Sequence, residues 1–229
     1  MKLDNRKEHI LDFIVRDYIA TAQPVSSGRM ASRRVLDSSP ATLRNIMLEL
    51  DENGFLFQPH TSAGRAPTEK GYRYFIDNLM ETGDPAHEVR QELDEVLDDF
   101  FEASEQMFEG LSRALAKHLR LFSGISMPDD ERIFGHGLPE VLCEPEFFRH
   151  DTAVRFADFA ENIQKNLKKH PGIDADSAGF GIVSVIFDGG DLGRCAVFSA
   201  GPQRMNYEKA NSTLKYAAEK INKHKKKNK

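Results

Sequence analysis

Apolar residues recur at Ile10, Leu11, Ile14, Val15, Tyr18 and Ile19, three and four apart, a spacing that predicts an amphipathic helix. Gln23, Pro24 and Val25 stop it, and Ser26 is placed to cap a short second helix carrying Met30. Val35, Leu36, Asp37 and Ser38 read as a turn. A third helix starts after Ser39, because Ser is favoured as the cap and Pro40 at the first helical position. Its inner side is Leu43, Ile46, Met47 and Leu50, and Gly54 ends it. Residues 55–58 then predict a short strand and 59–67 a polar loop with no apolar anchor. Thr68 starts another helix carrying Tyr72, Phe75, Ile76 and Leu79 back to the core.

Gly83 and Pro85 break the pattern. Beyond them Leu93, Leu97, Phe100, Met107, Leu111, Leu115 and Phe122 form one helical stripe, predicting an acidic amphipathic helix over 86–122. Its apolar face needs a partner, either a second copy or the remainder of its own chain. Residues 123–145, rich in Gly and Pro, read as loop. Asp151 is placed to cap a helix whose inner face is Ala153, Phe156, Ala160, Ile163 and Leu167. The apolar runs 178–187 and 194–199 flank Asp188, Gly189, Gly190 and Asp191, which predicts a β-hairpin. A last helix places Tyr207, Ala210, Leu214, Ala217 and Ile221 on one face, followed by a frayed basic tail from His224. The fold class is α+β and mainly helical, in three regions: 1–80, 86–122 and 123–229.

Composition narrows the picture. Hydrophobic residues make up 40% and charged residues 29% of 229, enough for a packed core. A net charge of -5 means that any nucleic-acid binding depends on a local basic face. No stretch matches the apolar length of a membrane span, and the first residues carry no signal-peptide pattern. Cys143 and Cys195 are two lone thiols, so a cytoplasmic location is expected.

The chemistry-bearing positions lie in the first region. Three short helices with a tight turn before the third follow the helix-turn-helix plan, in which the start of the last helix enters the DNA major groove. Ser39, Ala41, Thr42, Arg44 and Asn45 occupy that start. Thr42 suits a thymine methyl or a phosphate, and Arg44 and Asn45 carry the groups that pair bidentately with guanine and adenine. The loop after the short strand, with His60, Thr61, Ser62 and Arg65, is the candidate wing; Arg65 suits a phosphate or the minor groove. Three-helix units also serve as protein–protein modules, and the pattern leaves that alternative open. Gly189 to Gly193 lack the Lys of a phosphate loop, and His136, Cys143 and His150 lie too far apart for a zinc finger. Arg204 beside Tyr207 reads as a structural cap in preference to a ligand-sensing corner. No catalytic constellation stands out, so no enzyme activity, metal or cofactor is expected.

The run Ser39-Pro40-Ala41-Thr42-Leu43-Arg44-Asn45, then Gln58-Pro59-His60-Thr61-Ser62-Ala63-Gly64-Arg65 and Gly71-Tyr72-Arg73, closely resembles HrcA, the bacterial heat-inducible transcription repressor family, over residues 5–77. Pro145-Glu146-Phe147 and Gly201-Pro202-Gln203-Arg204-Met205-Asn206-Tyr207 resemble its C-terminal region. The resemblance implies a winged helix, a GAF-like domain and an inserted dimerisation segment. It also implies a homodimer that represses chaperone operons at an inverted repeat called CIRCE, and a folding partner in the chaperonin GroEL. The chain departs from the family at Ile46, where Asp is usual, and at Gly28, where Arg is usual and Arg29 stands next to it. It is also shorter than usual members. The shortfall falls between about 121 and 133, leaving a small C-terminal α/β remnant with too few strands for a complete GAF-like sheet. The expectation is that the long amphipathic helix takes over assembly. The expected function is a sequence-specific repressor of heat-shock genes. The alternative is a folding-sensitive chaperone client with lost or altered operator specificity.

Overall fold

Helix α1 (Asn5–Thr21) is capped by Asp4, whose carboxylate accepts from the Lys7 amide, and ends where Ala22 turns left-handed. Ile10, Leu11, Ile14 and Val15 are fully buried along it. Ser26 caps α2 (Ser27–Ser32), and the buried Met30 points inward. Helix α3 (Pro40–Glu52) starts at the Ser39 cap and buries Leu43, Met47 and Leu50. Ile46, expected inside, is only half-buried, because it sits at the edge of that stripe. Gly54, with φ of 75°, closes the helix.

The computed structural model describes residues 2–98, 105–127, 132–176, 178–189 and 192–227. The chain divides into two units: Met1–Met80 with Gln203–Met205, and Glu81–Pro202 with Asn206–Lys229. In the first, α1 packs on α3, and α2 on α3. After α3 come β1 (Leu56–Phe57) and β2 (Ala66–Pro67), an antiparallel pair in the register Leu56 to Pro67 and Phe57 to Ala66. The polar loop is therefore anchored after all: Ala66 is fully buried and belongs to a strand. Thr68 caps α4 (Glu69–Tyr74), which runs into a π-helical turn (Phe75–Leu79). The Phe55 and Tyr74 rings meet edge-on at 5.4 Å. Arg204, in the segment Gln203–Met205, donates to the Ile19 carbonyl at 3.1 Å and so braces the end of α1.

The second unit is built on a five-stranded antiparallel sheet. Its strands are β3 (Phe122–Met127), β4 (Arg132–His136), β5 (Ile173–Ala175), β6 (Phe180–Asp188) and β7 (Arg194–Pro202), in the order β4-β3-β7-β6-β5. The expected hairpin is β6 with β7, which pair from Phe180–Pro202 to Asp188–Arg194; Gly190 and Asp191 of its turn lie outside the described residues. Strands β3 and β4 overturn the expectation of a loop over 123–145 and give the sheet two strands beyond the expected hairpin. Their glycines mark close packing instead of turns. A Cβ on Gly124 would stand 2.0 Å from the Phe134 carbonyl oxygen, and one on Gly135 would meet the Phe122 ring at 2.8 Å.

The stretch 86–122, expected as one helix, contains α5 (His87–Asp98) and α6 (Glu105–Leu119), and Phe122 begins a strand. Phe100 lies outside the described residues. Leu93, Leu97, Met107, Leu111 and Leu115 are all buried within the chain itself, where α6 packs on β3 and α5 on α6. Helix α7 (Leu138–Leu142) and a 3-10 turn (Pro145–Phe148) follow β4. The helix expected from Asp151 is two, α8 (His150–Glu161) and α9 (Ile163–Lys169). Asp151 lies in the first turn of α8 and pairs with Arg149; it is not the cap. Phe147, Phe156, Phe159 and Phe180 form one aromatic cluster, with ring centroids 4.9–6.3 Å apart. Helix α10 (Tyr207–Lys227) buries its five stripe residues, and its backbone remains helical through the expected tail to Lys227.

Candidate nucleic-acid interface

The outward side of α3 follows from its inward side. With about 100° per residue, the stripe of Leu43, Met47 and Leu50 leaves Ala41, Asn45 and Leu48 pointing the opposite way. Thr42 and Arg44 flank that line on either side. Ala41, Thr42, Arg44, Asn45 and Leu48 are all exposed. Ser39 Oγ accepts from the Thr42 amide at 3.2 Å and lies 3.0 Å from Thr42 Oγ1, so the two hydroxyls form one unit at the helix start. The free N–H groups and positive dipole end of α3 converge there, which favours a negative ligand.

The loop between β1 and β2 is shaped by a residue that sequence reasoning passed over. Gln58 Nε2 donates to the carbonyls of Thr61 at 3.0 Å and Ala63 at 2.9 Å, fixing the turn from within. His60, Thr61 and Ser62 are exposed at its tip, with His60 Nδ1 3.1 Å from Ser62 Oγ. Arg65 is placed differently. Its Nε lies 2.7 Å from Asp51 Oδ2 in the last turn of α3, and its backbone forms a bridge with Val25. The expected site residues thus fall into two groups, Ser39 to Asn45 and His60 to Ser62, with Arg65 at the base between α3 and the loop.

Charge is distributed unevenly over this unit. Arg16, Arg29, Arg65 and Arg73 are paired with Asp12, Asp17, Asp51 and Glu69. Arg33, Arg34 and Arg44 are exposed and carry no ion pair among the described residues. Two of these three lie in the turn before α3, and the third is on α3. Arg33 and Arg34 were not singled out in the sequence, although an adjacent pair of arginines before a helix start was there to be read. The acidic Glu49 on α3 is held by Lys7, Nζ to Oε2 at 2.9 Å, and this contact leads the rise of the Lys7 ammonium above its ordinary value. Arg29, adjacent to the departure at Gly28, is engaged with Asp17.

Among the described residues, no three His, Cys, Asp or Glu side chains are grouped to hold a metal ion, and no helix is long and apolar enough to cross a membrane.

The whole-chain fold is shared with a hypothetical protein solved by crystallography at 2.2 Å resolution: TM-score 0.71, 18% identity, 97% of this chain and 98% of that one. Both are thus α+β chains of the same architecture. In sequence, the chain is 57% identical over 90 residues to the heat-inducible transcription repressor HrcA of Desulforudis audaxviator, 39% of this chain and 26% of the relative. It is 39% identical over 143 residues to HrcA of Carboxydothermus hydrogenoformans, 62% of this chain and 42% of the relative. The similarity to HrcA repressors read from the motifs is therefore borne out. These matches span less than half the length of the curated relatives. No family model matches the chain.

Proposed function

We propose that the chain is a sequence-specific DNA-binding repressor of heat-shock genes, in which the first unit acts as a winged helix-turn-helix. The observation that carries this reading is α3 itself. An exposed face of small, hydroxyl, amide and guanidinium side chains follows a turn that carries Arg33 and Arg34, neither in an ion pair among the described residues, in a chain 57% identical over 90 residues to a heat-inducible repressor. Helix α3 enters the major groove, where Asn45 and Arg44 read base edges and Ala41 permits close approach. Ser39, Thr42, Arg33 and Arg34 hold phosphates and set register. His60, Thr61 and Ser62 form the tip of the wing against the backbone.

Two copies read the two halves of an inverted repeat, since one α3 covers only one half-site. The second unit, as a reduced GAF-like domain, carries the remainder of the regulatory role, with chaperonin GroEL assisting its folding.

The test is a fluorescence-anisotropy titration with a CIRCE-type inverted repeat and a scrambled duplex at about 150 mM salt. Binding to the repeat about a hundredfold tighter supports the reading. Equal affinity for both duplexes overturns sequence-specific recognition of that repeat.

A further inference from the structure

We infer that Arg65 is a positioning residue that locks the wing loop to α3, and that it does not contact DNA. The inference rests on the reading of the first unit as a DNA reader. It also changes the role that the sequence suggested for this arginine.

Three contacts fasten the loop base. The Arg65 side chain is 12% exposed, and its Nε forms an ion pair with Asp51 Oδ2, 2.7 Å away, by charge and proximity and without an aligned hydrogen bond. Its amide donates to the Val25 carbonyl and its carbonyl accepts from the Val25 amide, both at 2.8 Å. Val25 is fully buried and precedes Ser26, the cap of α2. Beside it, a Cβ on Gly64 would stand 2.2 Å from the Val25 carbonyl oxygen and 2.8 Å from the Ser26 nitrogen, so only hydrogen fits there. One residue therefore ties the loop to the start of α2 through its backbone and to the end of α3 through its side chain. Gln58 closes the loop from the inside. The loop tip and the reading helix are held in one geometry before any ligand arrives, which spares the ordering cost at binding.

Charge argues the same way. For Arg65 to hold a phosphate with its full charge, the guanidinium would have to turn away from Asp51, to which its Nε is paired. That would strand a carboxylate beside the DNA backbone, where like charges repel. The pair in place neutralises Asp51 instead.

The two roles predict opposite signs for one substitution. If Arg65 held a phosphate and Asp51 were a bystander, Asp51→Asn would remove a negative charge near DNA and tighten binding. If the pair positions the loop, Asp51→Asn loosens it and weakens binding. The experiment uses the full chain as wild type, Asp51→Asn, Arg65→Ala and the double variant. Anisotropy with the inverted repeat is measured over a salt series, and amide hydrogen exchange at 59–65 is followed without DNA. We expect Asp51→Asn and Arg65→Ala each to weaken binding roughly tenfold. The double variant should be no worse than either, with an unchanged salt slope and faster exchange in the loop. Exchange in the buried core of α1 reports whether the first unit of each variant is folded, and Asp51→Asn keeps the shape of the side chain if Arg65→Ala fails to fold.

Tighter binding by Asp51→Asn, or a salt slope lower by about one in Arg65→Ala alone, overturns the inference. If the wild type does not favour the repeat, the repressor reading fails, and exchange alone then decides the clamp. Unchanged loop exchange in both variants overturns it.

Discussion

Asp17 on α1 and Arg29 on α2 form an ion pair, Oδ1 to Nη2 at 3.0 Å, with Asp17 only 9% exposed. The pair links α2 to α1, and α2 packs in turn on α3. Asp17→Asn keeps the shape and removes the charge. We expect it to lower the stability of the first unit by about 1–3 kcal/mol, toward the low end because Arg29 regains water. Urea unfolding combined with amide exchange in α1–α3 checks it; an unchanged exchange pattern would show the pair to be incidental.

Two glycines provide a matched comparison. Gly64→Ala forces a methyl against the Val25 carbonyl, whereas a Cβ on Gly83 would meet nothing within 4 Å. Gly64→Ala should destabilise the first unit by about 1–3 kcal/mol, and Gly83→Ala should stay within about 0.5 kcal/mol of wild type. Thermal melts of both variants decide it, and equal melting temperatures would contradict the close approach.

Ser39 combines a structural and a proposed binding role that chemistry can separate. Ser39→Ala removes the cap that accepts from the Thr42 amide and should cost about 1 kcal/mol of stability. Ser39→Asp retains capping but adds a negative charge where a phosphate is proposed to sit. It should keep the melting temperature and lose DNA affinity. Retention of affinity by Ser39→Asp would remove Ser39 from the interface.

The arginines divide by the contact proposed for each. Arg44→Ala and Asn45→Ala should each cost about 1–3 kcal/mol of discrimination between the repeat and a scrambled duplex. Arg33→Ala and Arg34→Ala should weaken both duplexes alike and lower the salt slope by about 0.9 each. Identical, sequence-independent losses from all four would contradict this division.

Acid stability of the second unit depends in part on Glu92. Lys117 Nζ, at 3.0 Å, is the main cause that holds its carboxyl below the ordinary value of 4.5, with burial opposing and His118 adding to it. A carboxyl lowered on folding contributes stability that is fully present above about pH 4.5 and is lost as pH falls through the lower folded value. Glu92→Gln should therefore flatten the fall in stability below pH 4.5. Urea unfolding between pH 3 and 6, roughly spanning that window, tests it; a slope as steep as that of wild type would place the acid sensitivity elsewhere.

Local sequence signals made the helices of the first unit legible. Ser39 and Pro40 marked the start of α3, and the spacing of Ile10, Leu11, Ile14 and Val15 marked α1, because capping and amphipathic periodicity act within one or two turns of chain. The site residues were legible as types at positions. Their partners were not: Arg65 looks like any exposed loop arginine until Asp51, fourteen residues away in sequence, is brought beside it.

The sheet shows the same limit from the other side. Phe122–Met127 is buried along its whole length, so it shows no alternation of polar and apolar residues, and its Ser and Gly read as loop. By itself the sequence determined the helices of the first unit and where they start, the last helix, and the β6–β7 hairpin, since each depends on neighbours along the chain. Only the tertiary structure decided that Gly124 and Gly135 are close-packing positions, that Leu93, Leu97, Met107, Leu111 and Leu115 are covered by their own chain, and that Arg65 is paired with Asp51. Those outcomes depend on which distant groups fold to within contact distance, and no local pattern encodes that.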